Sequence, residues 1–300
     1  MIPFSCKSTN TIELDGQIIY SFLDDNPTNI DRTTVKSFGE EWGKFDQFSD
    51  QELEQIGDDY FDIVTDQHAN LTSIALDVGC GSGRWSKYLS NKVRFIEAID
   101  PSDAVIPASG LLAQNKNVRV TQASADNIPF ADNSFDFVFS LGVLHHIPDT
   151  QMALHHCISK LKPGGHLLIY LYYNLDNRSF FYKLIFKISH LFRRGICLLP
   201  GFIKRLICDL IAFLVYFPLS RFALLLRRIG VKGWSSVPLS YYHDKSLNIL
   251  RNDALDRFGT PLEQRFSKVQ IREMLESEGM NNIIFSEKAP YWHVISQKPE

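Results

Sequence analysis

From Ser73 to Tyr173 short apolar runs alternate with stretches of helical spacing. Ile74–Val78, Phe95–Ile99, Val118–Thr121, Phe135–Ser140 and Leu167–Tyr172 are apolar runs closed by turn signals, which is how strands buried on both faces read. Trp85–Ser90 and roughly Gln151–Leu161 suit helices, and Lys162-Pro163-Gly164-Gly165 suits a turn. Near the C-terminus, Ser267-Lys268-Val269-Gln270 is a capping box that opens a helix to about Glu278, with Gly279 beyond its end. Ile283–Ser286 and Trp292–Ile295 follow as two last strands. Strands alternating with helices predict an α/β fold, a doubly wound and mostly parallel sheet of seven strands covered on both faces.

Two regions depart from that rhythm. Thr11–Leu14 and Gln17–Phe22 flank Asp15-Gly16, a strong hairpin signal. They form a preface over residues 1–30, followed by a helical stretch from Thr34 to Val64 whose apolar positions are Phe38, Trp42, Phe45, Tyr60, Phe61 and Ile63. Phe180–Ile229 is both apolar and basic, with nine lysines and arginines against the single acid Asp209. Its longest uncharged run, Leu210–Ser220, is too short to span a bilayer and holds Pro218. The pattern therefore predicts a core over 31–175 and 263–300, interrupted by a helical lid insertion over 176–262.

Composition narrows the function classes. The 300 residues can bury a full core, and 22% charged residues with 45% hydrophobic ones suit a globular chain. A net charge of −3 offers no general attraction for nucleic acid. Cys6, Cys80, Cys157, Cys197 and Cys208 are scattered without a C-x-x-C pair, which argues against a metal site or a disulfide framework and for a reducing compartment. Met1-Ile2-Pro3-Phe4-Ser5 lacks a basic start and a long apolar run, so a cytoplasmic protein is expected.

The strongest chemical signal is Leu76-Asp77-Val78-Gly79-Cys80-Gly81-Ser82-Gly83. Glycines let the backbone turn sharply at a strand's end and let a ligand approach the peptide closely, and the next helix offers unpaired N–H groups. The spacing is Gly-x-Gly-x-Gly, not the Gly-x-Gly-x-x-Gly of dinucleotide sites. Alone, the turn is weak evidence, because a tight βα connection with no ligand also fits it. Its neighbours change that. Asp100 ends the next strand, where a carboxylate can accept ribose hydroxyls. Ser124-Ala125-Asp126 ends the third, and Leu141-Gly142-Val143-Leu144-His145-His146 follows the fourth. All four segments fall at carboxyl ends of strands, the ligand side of an open α/β sheet.

In this order, with Leu161-Lys162-Pro163-Gly164-Gly165 after them, the segments resemble the class I S-adenosylmethionine-dependent methyltransferases, closest to the type 11 group. The resemblance runs from about Ile74 to Tyr173 and resumes over the last thirty-five residues. It implies that Asp77, Gly79, Gly81 and Gly83 hold the methionine part of S-adenosylmethionine and that Asp100 holds the ribose. Ser124, Ala125 and Asp126 frame the adenine, with Cys80, Pro101 and Leu141 alongside. Many relatives have aspartate at the position of Ser124; here Ser124, Asp126 or backbone groups take its part. Thr34–Trp42, with its Phe38-Gly39-Glu40-Glu41-Trp42, is similar to a subset in which a zinc-ribbon-like module precedes this helix. The preface keeps only Cys6, so no metal is expected.

Methyl transfer asks mainly for alignment, and sometimes for a base. His145 and His146 stand where a base belongs; the plainer reading is that one packs or caps the next helix. Tyr172, Tyr242, His243, Arg265 and Trp292, with Tyr241, Asp256, Tyr291 and His293, are acceptor-site or core residues. The expected function is methylation, at oxygen, of a small molecule or glycan, with surface polysaccharide or natural-product synthesis as the setting. Alternatives are a lipid or quinone acceptor reached through a lid peripheral to the inner face of a membrane, and a non-catalytic S-adenosylmethionine-binding subunit. A nicotinamide-dependent oxidoreductase is the remaining alternative, set back by the glycine spacing. No nucleic-acid partner is expected.

Overall fold

The computed structural model describes residues 1–14, 16–25, 27–42, 49–176 and 178–300, and all their side chains but those of 40–42. The expected apolar position Phe45, the Trp42 side chain and Asp15 of the hairpin turn lie outside the described residues. The chain divides into two compact units, Met1–Asn174 with Leu262–Glu300, and Leu175–Pro261.

The first unit is built on one sheet. In chain order its elements are β1 (Asn10–Leu14), β2 (Gln17–Ser21), α1 (Arg32–Trp42), α2 (Asp50–Tyr60), β3 (Ile74–Val78), α3 (Arg84–Leu89), β4 (Phe95–Asp100), α4 (Val105–Leu111) and β5 (Val118–Gln122). β6 (Phe135–Leu141), α5 (Thr150–Lys160) and β7 (Leu161–Tyr170) follow. The second unit holds α6 (Phe180–Ile196), α7 (Gly201–Ile211), α8 (Phe217–Arg228) and α9 (Leu247–Gly259), after which α10 (Lys268–Ser277), β8 (Asn281–Phe285) and β9 (His293–Gln297) close the first.

Among the described residues nine strands pair in the order β1-β2-β5-β4-β3-β6-β7-β9-β8. β2 through β7 run parallel, and β1, β8 and β9 pair antiparallel. The sheet is α/β and mostly parallel as the sequence predicts, but two strands wider. The N-terminal hairpin is the reason: Tyr20 and Ser21 of β2 pair with Thr121 and Gln122 of β5 and extend the edge. Central strands are covered on both faces, so Ala75, Leu76 and Val78 of β3 and Phe135, Phe137, Val138 and Phe139 of β6 are all buried.

A second difference concerns β7. The sequence reads Lys162–Gly165 as a turn before the strand, whereas β7 starts at Leu161. Phe135 pairs with Leu161 but Phe137 with His166, so residues 162–165 bulge within the strand opposite Asp136. The α10 capping box forms as read: Ser267 and Gln270 exchange both bonds, at 2.9 and 3.1 Å.

The N-terminus is fastened by a buried ion pair. Arg119 of β5 donates to both oxygens of Glu97 on β4 at 2.8 and 2.7 Å, and Ile2 N donates to the same carboxylate at 3.2 Å. The Glu97 side chain has no solvent exposure, and burial raises its pKa above the ordinary carboxylate value while Arg119 opposes the shift. Removing one partner of such a pair strands a charge in the interior, which costs about 3–5 kcal/mol. Arg119→Ala is therefore expected to lower stability by about that amount in urea unfolding. Lys87→Ala, which breaks an ion pair with the exposed Asp50, changes it by about 1 kcal/mol or less.

Candidate active site

β3 ends at Asp77 and Val78, and the chain turns through Gly79, Gly81 and Gly83 at φ of 80°, 53° and 84°. That left-handed backbone disfavours residues with a Cβ. At Gly79 space forbids one as well, since a Cβ would lie 2.4 and 2.5 Å from the two methyls of Val143. Gly79 N and Cys80 N both donate to the Ile99 carbonyl, at 2.8 and 2.9 Å, which ties the turn to β4. Cys80 is buried against Val105, Ala108 and Leu112. Burial, then Asp100 and Asp77, pushes its thiol pKa well up, so Cys80 is a packing residue and not a nucleophile.

Two carboxylates lie beneath the turn. Asp77 is fully buried; Ser86 Oγ donates to its Oδ2 at 2.7 Å, and Oδ1 has no hydrogen-bond partner among the described residues. Burial lifts its pKa to about 7, against the Ser86 bond and with help from Asp100. Asp100 Oδ2 accepts from Gly81 N at 3.0 Å, and Oδ1 accepts from Ser102 N and Ser102 Oγ at 2.9 and 2.6 Å. Burial raises this carboxyl's pKa too, opposed by those bonds. A carboxylate has about four acceptor positions; three are filled here, leaving room for one further donor.

Beyond Asp100, a cavity of about 580 Å³ is lined by Pro101, Ser102, Asp103 and Gln122 on one side and by Ile30, Arg32, Val35, Lys36 and Gly39 of the α1 segment on the other. Ser124 Oγ donates to Asp126 Oδ1, and Asn29 N to Asp126 Oδ2 at 3.4 Å. Ser124 and Asp126 are thus one hydrogen-bonded unit whose oxygens can still accept. Ala125 and Leu141 are buried. An unpartnered buried acceptor at Asp77, one open position at Asp100 and a cavity that begins at the neighbouring Pro101 and Ser102 fit a ligand bearing an ammonium and a ribose. S-adenosylmethionine has both.

His145 and His146 form a single 3₁₀ turn after β6. His145 has no solvent exposure, and neither ring nitrogen has a hydrogen-bond partner among the described residues. Its ring lies against Tyr172 at 3.9 Å. Burial, then His146 and Arg265, holds its pKa well below the ordinary value, so it is neutral and a poor base. His146 Nδ1 faces the Leu262 carbonyl at 2.6 Å and its ring meets Phe38 of α1 edge-on at 5.0 Å. The plainer expectation for it, packing, describes what it does.

Other expected residues separate. Arg265 sits over Tyr172 at 5.0 Å and is held by Glu263 at 2.7 Å and the Tyr173 carbonyl at 3.0 Å. Trp292 is 5% exposed and fills the core beside Phe285 and Tyr291, so it corrects the expectation of an acceptor contact. His293 is buried between Asp62 Oδ1 at 2.6 Å and the Pro290 carbonyl at 2.7 Å and fastens the chain after α2 to β9. Tyr242 and His243 belong to the second unit. Both nitrogens of His243 are engaged, Nδ1 with the Ser240 carbonyl and Nε2 with Arg227, which makes it a clamp and not a substrate contact. An array whose members the sequence did not bring together joins Tyr60 to Trp85 at 4.7 Å and to Tyr170 at 5.1 Å, and Tyr170 to Tyr172 at 5.7 Å. No spacing rule could have found it, since its members come from α2, α3 and the end of β7. Among the described residues no cluster of three His, Cys, Asp or Glu suits a metal.

The family model for a methyltransferase domain matches residues 76–169. The match covers about a third of the chain. A demethylmenaquinone methyltransferase of Staphylococcus haemolyticus is 33% identical over 132 residues, 42% of this chain and 55% of that one. A ubiquinone biosynthesis O-methyltransferase of Alkalilimnicola ehrlichii is 32% identical over 37% of this chain and 45% of its own length. A tRNA (carboxymethyluridine(34)-5-O)-methyltransferase of Saccharomyces cerevisiae is 37% identical over 33% of this chain and 35% of its own. The alignments thus span about half or less of these relatives. By structure, a chain from the complex of the Haloferax volcanii Trm112 methyltransferase activator with a methyltransferase matches at a TM-score of 0.50. It shares 12% identity and covers 88% of this chain and 99% of that one. That likeness is one of fold.

The matched segment contains the glycine turn, Asp100, Ser124–Asp126 and both histidines. It stops at residue 169, short of Tyr172, Arg265 and the whole second unit. Within it, Gly79→Ala meets both a left-handed backbone and the Val143 methyls. Each costs about 1–3 kcal/mol, so a loss of about 2–6 kcal/mol in denaturant unfolding is expected. Adding Val143→Ala should recover the packing part alone.

Proposed function

We propose that the protein transfers a methyl group from S-adenosylmethionine to an oxygen of a small molecule or glycan. The observation that carries this reading is the unpartnered buried oxygen of Asp77 beside Asp100, wrapped by the glycine turn of a methyltransferase domain. The sulfonium supplies an electrophilic methyl group whose transfer leaves the bonding electrons on sulfur. The chain's residues bind and align. Asp77 Oδ1 would take the ammonium and Asp100 one ribose hydroxyl, while the oxygens of Ser124 and Asp126 would accept from the adenine amino group. Tyr60, Trp85 and Tyr170 offer π faces suited to a cation. His145, neutral and buried, is suited to accept a hydrogen bond from the acceptor's hydroxyl and orient it, not to keep its proton, which passes to water as the new C–O bond forms and the C–S bond breaks.

A second reading of the acceptor, as an apolar quinone or lipid, draws support from the names of two relatives and from the apolar surface of the second unit. The tRNA enzyme among the relatives illustrates that the domain alone does not choose the acceptor.

Isothermal titration tests the cofactor. S-adenosylmethionine should bind and NAD should not, and Asp100→Ala should weaken binding at least about tenfold, the worth of a charge-assisted bond. The carboxyl of Asp77 keeps its proton up to about pH 7 in the ligand-free protein. Binding an ammonium must expel that proton, so affinity should fall by about tenfold per pH unit below 7. It should level above 7 and decline past about 8, where an α-amino group loses its charge. The same shift from 3.8 to about 7 makes the folded state hold this proton more tightly than the unfolded one. Stability of the ligand-free protein should therefore fall as pH rises through that window, and Asp77→Asn should flatten both dependences. NAD binding without S-adenosylmethionine binding would overturn the reading, and methyl transfer to any acceptor would exclude the non-catalytic alternative.

A further inference from the structure

The second unit is assembled with its outward face apolar. On α6, Phe181, Ile185, Ile188 and Phe192 recur at three- or four-residue spacing, and all are exposed, Phe181 to 75%. The run passes the connecting turn at Leu198, 82% exposed, and resumes with Phe202, 77% exposed, Leu206, Leu210 and Phe213. A helix of a water-soluble fold turns its apolar stripe inward, and large exposed apolar patches mark interaction surfaces.

The inward side is held by polar clamps. Arg193 Nη1 donates to the Thr260 carbonyl at 2.5 Å, Arg221 to the His243 and Lys245 carbonyls at 2.6 and 2.8 Å, and Arg251 grips Asp209 at 2.8 Å through both oxygens. The apolar face is thus left outward by a unit whose inner contacts are already made.

Charge identifies the occupant. Residues 175–261 carry fourteen lysines and arginines against five acids, a net of +9, in a chain whose total is −3. Lys183, Lys187 and Arg194 lie along one edge of α6, at three- or four-residue spacing from Phe180 and Leu191, which border its exposed apolar face. Aromatic and aliphatic side chains flanked by cations are the composition of a helix that lies in the headgroup region of an anionic bilayer. Nucleic acid would be drawn by the cations, but the exposed Ile185, Ile188, Leu198, Leu206 and Leu210 offer no ring for a base to stack on.

α7, a π turn at Ala212–Tyr216 and α8 run on as one helix, Gly201–Arg228, of 28 residues with a mean hydropathy of 1.8 in its most apolar window. It is long and apolar enough to cross a membrane, which the short uncharged run Leu210–Ser220 did not suggest. Crossing would take the Asp209–Arg251 pair into hydrocarbon together with α9, which packs along this helix and carries Asp253, Asp256 and Arg257.

We propose that the second unit seats the protein in the plane of an anionic lipid surface, with the apolar faces of α6 and the Gly201–Arg228 helix entering the headgroup layer. The inference stands apart from the proposed activity. Flotation of the full chain with phosphatidylglycerol–phosphatidylcholine vesicles, against phosphatidylcholine alone, tests it. Binding at least tenfold stronger to the anionic vesicles and weakened by salt is expected. Phe181→Ser with Ile188→Ser and Phe202→Ser should abolish flotation, and Lys187→Gln with Arg194→Gln should remove only the preference for anionic lipid. S-adenosylmethionine titration on each variant serves as the folding control. Three results would overturn the proposal: no flotation of the wild type at low salt, serine variants that float like it, or a wild-type oligomer in sedimentation that the serine variants dissociate. The last would give the face to a second copy of the chain. Failure of flotation with cofactor binding intact would leave the proposed activity untouched.

Discussion

Burying two carboxylates next to each other is the constraint around which the first unit is arranged. Asp77 and Asp100 end neighbouring parallel strands, where the two-sided cover of the sheet leaves no water to solvate them. Each is satisfied as far as the chain can manage: Asp77 by Ser86 on α3, Asp100 by Gly81 N and Ser102. Those bonds in turn fix the turn between β3 and α3. The glycines permit the backbone to come near enough, and the acids hold it there. What stays unsatisfied, Asp77 Oδ1, costs the ligand-free protein free energy that a cationic ligand can return.

Much of this was legible because strand ends in an open α/β sheet are local in sequence and global in consequence. A run such as Ile74–Val78 followed by glycines places its last acid at the ligand edge whatever the rest of the chain does. Asp100 and Ser124–Asp126 follow from the same rule. The hairpin's strands were legible too, but not that β2 would find β5, since an edge pairing depends on a partner a hundred residues away. Lys162–Gly165 carries turn residues, yet the pairing of β6 with β7 absorbs them as a bulge. α4 was not read at all, because Pro107 and Gly110 break its pattern, and it is held by packing against β5.

The chemistry of side chains was harder to read than their position. Trp292 and His243 belong to aromatic clusters that look alike in sequence, and only burial and hydrogen bonds reveal one as core and the other as a clamp. His145 and His146 are adjacent and of one type, yet one nitrogen of His146 meets a carbonyl while the His145 ring is enclosed among other rings. Histidine serves as a base through its accessible, near-neutral titration. Enclosure removes that property from His145 and leaves a lone pair fixed in place.

The second unit inverts the logic of the first. There, charge is sunk among apolar strands and must be neutralised from within; in residues 175–261 the apolar side chains face outward, and the charge is in excess and of one sign. Sequence composition exposes the excess, but the direction in which Phe181 and Phe202 point depends on which face of each helix α9 occupies. The remaining 213 residues of the chain carry the compensating acids, −12 in net charge. An anionic surface would therefore attract the second unit by its charge before any of its apolar side chains enters the lipid. That attraction requires no specific headgroup contact and weakens with salt. Retention then falls to the apolar face, which salt does not screen.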